Sequence, residues 1–304
     1  MINYYKRTVR QKNIKKIPSF QIGCLINVVN PDKKEIDYLV KKFKLDRHNL
    51  RSGLDPNEIP RLDDVNNVKY IFTSFVSNVK KHSIDTYLIV IGGNFILTLS
   101  KNQPDFFKKI LNDEIKFITT QKLKCLINLF SLINEGFEET TIDIIKSVQA
   151  KKRLSVNQIR EEGINVLLEQ EDTLNDFVSS YYYINLLYER IIKRINFYEQ
   201  DKEILEDLIV EGNQGFNLCK SSLKTISNIR NYYTILLSNR LNNIITILTI
   251  FTILVSFPSA ISGIYGMNLR LPLEKNPAAF YYILLFVGLS WVLFLSYLKK
   301  KKII

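Results

Sequence analysis

Polar and small residues recur with a single spacing near the C-terminal end of this chain. Asn242, Thr249, Ser256 and Gly263 are seven apart, and Thr252, Ser259 and Gly266 form a second ladder with the same step. On a helix, seven residues fall about 20° short of two full turns, so both ladders, with Ile245 and Leu248, share one stripe about 100–120° wide. The stripe continues back through Ser238, Ile235, Asn231 and Asn228. No Asp or Glu occurs from Gly212 to Leu273, so the only oxygens such a stripe offers are amides, hydroxyls and backbone carbonyls. Neutral oxygens suit a cation that keeps its water shell, and Mg²⁺ dehydrates reluctantly. A small-residue stripe also suits close packing between membrane helices. A water-lined path through several copies of the helix accounts as well for Asn242 and for the length of the register. Two spans cannot enclose a channel, so that second reading requires a symmetric homo-oligomer.

The segment carrying the stripe is one of two apolar runs. No charged residue lies between Leu241 and Leu269, or between Asn276 and Leu298. As helices, Ile244–Tyr265 and Ala278–Tyr297 reach about 33 Å and about 30 Å, the thickness of a bilayer core. Lys299, Lys300, Lys301 and Lys302 follow the second run directly and predict a cytoplasmic end. The short connection from Gly266 to Pro277 makes a hairpin, so the N-terminal part is predicted to be cytoplasmic too. Met1–Lys16 is basic and lacks an apolar signal core. The expected location is the cell membrane, multi-pass, with both termini cytoplasmic.

Net charge is +12, with 46% hydrophobic and 24% charged residues, which excludes global disorder. From Arg240 to Ile304 there are seven basic residues and one acidic, or +6. Half of the surplus thus sits beside the membrane, which points to anionic headgroups rather than nucleic acid. Three separated cysteines (Cys24, Cys125, Cys219) and two histidines (His48, His82) make neither a zinc cage nor a disulfide scaffold. No phosphate-binding loop, nucleophile elbow or other catalytic constellation is present, so an enzyme is not expected.

Before the membrane, Gln21–Val29, Val68–Val76, Asp85–Ile91 and Asn94–Leu99 read as strands, with Gly92-Gly93 turning a hairpin. Ile36, Leu39, Val40 and Phe43 recur at helical spacing after Pro31. Beyond Pro104 the apolar spacing predicts helices over Phe106–Leu132, Ile142–Leu154, Ile164–Tyr198 and Ile204–Ile235. With no proline from Asp105 to Phe257, one helix is expected from Asp201 to Tyr265, about 97 Å if straight. Gly212 and Gly215 are read as tolerated weak points in it. Asp55, Asp63 and Asp64 read as loop carboxylates. The predicted organisation is an α+β membrane protein: a cytoplasmic α/β domain (1–103), a cytoplasmic helical region (104–200), a stalk helix (201–243), a first span (244–265), an outer loop (266–277), a second span (278–297) and a basic tail (298–304).

At the end of the first span stand Tyr265-Gly266-Met267-Asn268. Followed by a short loop, a second span and a lysine tail, this motif resembles the CorA family of magnesium channels. The likeness extends to PSAISGIYGMN with Leu248–Ile250, to NPDKKEIDYLVKKFKLDRHNL and to Ile59–Asp63. It implies a homopentamer whose long helix lines the pore, with hydrated Mg²⁺ held by a ring of Asn268 amides and assisted by the Gly266 carbonyl. Co²⁺ and Ni²⁺ are further candidate cargo. Asn242 would mark the inner end, and Leu248 an apolar constriction that gates by dewetting. Ser256 departs from the bulky residue many relatives carry there. The resemblance also implies cytosolic Mg²⁺ sensing through carboxylates, for which Asp55, Asp63, Asp64, Glu206, Asp207 and Glu211 are the candidates. Asn228 and Asn231 stand where a stalk acid is expected. A Zn²⁺ transporter of the same two-span plan, coupled to protons, and a membrane-anchored scaffold or sensor without transport are the alternatives.

Overall fold

The computed structural model describes residues 1–77, 83–152, 161–268, 272 and 276–301. The chain divides into two units, Met1–Arg230 and Asn231–Ile304.

The first unit opens with strands β1 (Ile2–Lys6), β2 (Lys15–Ile17) and β3 (Leu25–Val29), then helices α1 (Lys33–Phe43) and α2 (Arg47–Ser52). Strands β4 (Arg61–Val65), β5 (Val68–Ser77), β6 (Ser83–Ile91) and β7 (Ile96–Ser100) complete one sheet of order β2-β1-β3-β7-β6-β5-β4. Among the described strands only β3 and β7 pair in parallel. The alternation of side chains across the pleat separates two cores. Leu25, Ile71, Tyr87, Ile89 and Ile96 face one side, where the long helices pack. Ile26, Phe72, Leu88, Val90 and Leu97 face the other, against Ile36 and Leu39 of α1 and Leu50 of α2. Helix α1 starts on a capping box between Asp32 and Glu35, which satisfies two amides that the first turn leaves without partners.

Several elements differ from the sequence reading. Residues Met1–Lys16, noted there only as basic, supply β1 and β2. The predicted helix over Phe106–Leu132 is broken: α3 covers only Phe107–Leu111 and α4 starts at Lys122. The intervening segment is held instead by the connection between β1 and β2. Arg7 Nη1 pairs with Asp113 Oδ1 at 3.0 Å, the Ile14 amide donates to the same oxygen at 2.9 Å, and the Arg7 amide donates to Thr119 Oγ1 at 3.0 Å. Asp113 itself sits at φ +58°, outside helical space. Asp63 and Asp64 are not loop residues; they lie on β4. The turn from β4 to β5 is Asn66-Asn67, both at positive φ, as a two-residue hairpin requires.

Helices α4 (Lys122–Lys152) and α5 (Glu161–Arg194) pack with the first half of α6 (Glu199–Tyr265), a helix of 67 residues. Leu205, Leu208, Cys219, Ile226 and Ile229 of α6 join that core. A buried polar link crosses it: Asn134 Nδ2 donates to the Leu208 carbonyl at 3.0 Å, and the Tyr188 hydroxyl donates to Asn134 Oδ1 at 3.1 Å. Gly212 and Gly215 of α6 are contact points rather than weak ones. A Cβ on Gly212 would overlap Asn185 Oδ1, and one on Gly215 would overlap the Tyr181 ring. Gly215→Val is therefore expected to cost about 1–3 kcal/mol through overpacking. Gly136→Ala, on α4 with nothing within 4 Å of an added Cβ, is expected to gain about 1 kcal/mol from helix propensity. Thermal melts of the two purified variants check the opposite signs.

The second unit holds the remainder of α6, including Pro258, and α7 (Ala279–Lys300). Both helices are long and apolar enough to cross a membrane by length and composition.

Candidate ion pathway

Every member of the predicted stripe lies on α6 or in the turn that ends it. Asn242, Ile245, Leu248, Thr249, Thr252, Ser256, Ser259, Gly263 and Gly266 are all exposed in the single chain. Helix α7 does not cover them. Helix α7 meets α6 at Ile253, Leu254 and Phe257, which with Ser290, Trp291 and Phe294 line a groove of about 300 Å³. At 100° per residue, Leu254 points about 180° from the middle of the stripe. The rings of Phe257 and Phe286 add a tilted contact with centroids 6.2 Å apart.

Three of the hydroxyls on the stripe have a defined polarity. Thr249 Oγ1 donates to the Ile245 carbonyl at 2.7 Å, Thr252 Oγ1 to the Leu248 carbonyl at 2.8 Å, and Ser259 Oγ to the Val255 carbonyl at 2.8 Å. Each proton is thus committed to the helix four residues back, a pattern open to Ser and Thr but not to larger polar residues. What each hydroxyl presents outward is lone pairs. A wall of acceptors is what the outer hydrogens of a hydrated cation need.

Helix α6 ends at the motif. The Gly266 amide donates to the Ser262 carbonyl at 2.9 Å and the Met267 amide to the Ile264 carbonyl at 3.2 Å. Met267 and Asn268 follow and are exposed. The last turn of α6 carries no basic residue, so the negative end of its macrodipole faces this turn without a compensating side chain. Residues Arg270, Glu274 and Lys275, between α6 and α7, lie outside the described residues, as does Lys302. Lys299 and Lys300 occupy the last turn of α7.

The six carboxylates put forward as sensors are not brought together in one chain. Asp63 is paired with Arg61 Nε at 2.8 Å, Asp64 with Lys69 at 2.7 Å, and Glu206 with Lys202 at 3.6 Å. Asp55 Oδ1 accepts from the Asn57 amide at 3.0 Å. Asp207 and Glu211 line an open groove with Glu135 and Glu138. Among the described residues no group of three or more His, Cys, Asp or Glu side chains could hold a metal ion. What the sequence reading missed is the contact between Trp291 and α6. Its available signals were a lone tryptophan in one apolar run and a lone proline in the other.

The sequence model of one family, described as CorA-like Mg²⁺ transporter protein, matches residues 22–300. A curated relative, the cobalt/magnesium transport protein CorA of Methanocaldococcus jannaschii, is 23% identical over 279 residues, covering 85% of this chain and 84% of that one. The complete structure of the CorA magnesium transporter from Methanocaldococcus jannaschii superposes with a TM-score of 0.84 at 20% identity, covering 98% and 97% of the two chains. Full-length CmaX gives a TM-score of 0.75 at 14% identity, covering 99% of this chain and 97% of that one. The ZntB cytoplasmic domain from Vibrio parahaemolyticus gives 0.64 at 9% identity, covering 79% of this chain and 98% of that one.

Proposed function

The chain belongs to the CorA-like Mg²⁺ transporter family, and from that premise we propose that it is a homopentameric channel passing hydrated Mg²⁺ along the polar stripe of α6. The observation that carries this reading is the placement of α7 on the back of α6, which leaves the acceptor-lined stripe free to face a common axis. Five stripes around that axis would form a wet path, and five Asn268 side chains would ring its outer mouth. The amide oxygens there would accept hydrogen bonds from the waters of the ion, at the negative ends of five helices. Binding through water asks no dehydration of Mg²⁺. Leu248 would form the apolar constriction. Co²⁺ and Ni²⁺ are secondary cargo in this reading. Lys299 and Lys300 would keep the end of α7 in the cytoplasm in this reading, and with it the α/β domain. Cytosolic Mg²⁺ would act on Asp207 and Glu211, whose carboxylates form no ion pair among the described residues.

Zinc prefers nitrogen and sulfur ligands, and neither lines the stripe, so the Zn²⁺ reading has less support here.

Thiol accessibility tests the pathway directly. The three native cysteines are buried, and burial pushes the Cys125 thiol up and that of Cys219 up to about 11, so native labelling is expected to be negligible. Only the thiolate reacts, and a wet wall permits it where a face packed against α7 does not. Ser256→Cys and Ser259→Cys should therefore react with a membrane-impermeant reagent on the order of 100-fold faster than Leu254→Cys. The mass of the intact assembly should correspond to five chains. Equal labelling on both faces, or a different stoichiometry, removes the proposed pathway.

A further inference from the structure

The proline in the first span removes a hydrogen bond, and the second span supplies another. Pro258 lies inside α6 and has no N–H, so the carbonyl four residues earlier, that of Leu254, loses its helical donor. In a hydrocarbon core no water takes its place, and a carbonyl without a partner is costly there. The indole Nε1–H of Trp291 on α7 donates to that carbonyl oxygen at 3.1 Å. Indole is a donor only, so its own need and that of the carbonyl are met by one contact. Trp291 is also the only tryptophan in the chain.

The weakened turn falls between the two features that would control passage. Leu248 is about 9 Å along the helix on one side of Leu254, and Asn268 is about 21 Å along the chain on the other, at 1.5 Å per helical residue. A turn lacking its hydrogen bond is where a helix bends most readily. We infer that Trp291 is a positioning residue for ion passage: by holding the Leu254 carbonyl, it ties the proline turn of the pore wall to α7. The segment from Ser259 to the Asn268 ring then keeps a fixed angle to the Leu248 constriction. This inference rests on the pathway proposed above. Trp291 touches no ion; it acts through the backbone of α6.

The test uses the full chain in liposomes with Mg²⁺ as the probe. Trp291→Phe keeps an aromatic ring and removes the donor. It should lower Mg²⁺ flux by about tenfold, the kinetic equivalent of one net hydrogen bond, with the mass of the assembly unchanged. Pro258→Ala restores a backbone amide four residues after Leu254, and in that background Trp291→Phe should change flux less than about twofold. A packing role alone would give the same loss in both backgrounds. Because there is one tryptophan, the indole N–H band in ultraviolet resonance Raman reads the bond without reference to flux. It should show a bonded N–H in the native chain and a weaker one in Pro258→Ala, where the amide competes. Equal losses in the two backgrounds, or native flux together with a free-indole band, overturn the inference alone. A native chain that passes no ion overturns the pathway, and the positioning role with it.

Discussion

Asn268→Ala is expected to lower Mg²⁺ uptake into proteoliposomes by about 100-fold or more, with the assembly intact. The size follows from counting. A net hydrogen bond is worth roughly 0.5–1.5 kcal/mol, and a tenfold change in rate is about 1.4 kcal/mol. In the proposed pentamer five amides are removed, and at about 1 kcal/mol each the loss of three already reaches two factors of ten. No other side chain in the described part of this turn replaces them. Tyr265 donates from its hydroxyl to the Pro272 carbonyl at 3.4 Å, and Met267 offers only a thioether. The Gly266 carbonyl survives the substitution, so a residue of uptake should persist. Assembly should not suffer, because Asn268 is exposed after the last turn and contributes nothing to the buried core. Flux of native and variant chains, measured side by side with the same imposed potential, checks this. Equal uptake removes Asn268 from the role given to it. Repeating the pair with Co²⁺ and Zn²⁺ reads the preference order, because a ring that works through bound water favours the ion that holds its water hardest.

The sequence was most legible where one physical rule acts over a long stretch. The two long apolar helical stretches follow from uninterrupted uncharged runs, and the long α6 from the absence of proline before Pro258. The stripe follows from a seven-residue step. The central strands β3, β5, β6 and β7 were visible because burial on both faces demands β-branched and aromatic runs; their cores alternate residue by residue, as at Tyr87, Leu88, Ile89 and Val90. Edge elements were not visible, since they are specified by single contacts. Strand β2 is three residues, Lys15–Ile17, and only Ile17 is apolar. Nothing in Lys15 and Lys16 announces a strand until β1 pairs with them. The break in the predicted helix before Lys122 depends on Arg7 meeting Asp113, more than 100 residues apart in sequence, which local spacing does not encode. Gly212 and Gly215 looked like flexibility because propensity counts only the helix that holds them. Asn185 and Tyr181, on another helix, set their meaning. The site shows the same division. The stripe was readable as a pattern, but the proton direction of its hydroxyls and the side covered by α7 required coordinates.

Leu248→Asn is expected to raise resting Mg²⁺ flux by on the order of tenfold or more, the opposite sign from Asn268→Ala. Leu248 lies on the stripe but is apolar, and its exposed side chain stands one turn before Thr252, whose hydroxyl donates to the Leu248 carbonyl at 2.8 Å. Five leucines at one level would put a ring of hydrocarbon across an otherwise acceptor-lined path. Wetting such a ring costs free energy because the apolar surface of each leucine is worth about 1.5–3 kcal/mol on transfer from water. Only part of each side chain faces the axis, so a barrier of several kcal/mol is the right order. Removing about half of it would yield the tenfold change. Asparagine is close to leucine in shape and carries an amide, so it wets the ring without widening the backbone. The backbone bond from Thr252 is untouched by the change, which separates wetting from loss of helix. Leu254→Asn makes the same chemical change on the face toward α7 and should not raise flux, since that surface borders the other span and not the axis. The comparison therefore distinguishes a hydrophobic gate from general disorder of the span. If Leu248→Asn leaves flux unchanged while Asn268→Ala abolishes it, the constriction lies elsewhere on the stripe. With Ser256 small and polar, Ile245 is the apolar residue left on that face to carry it.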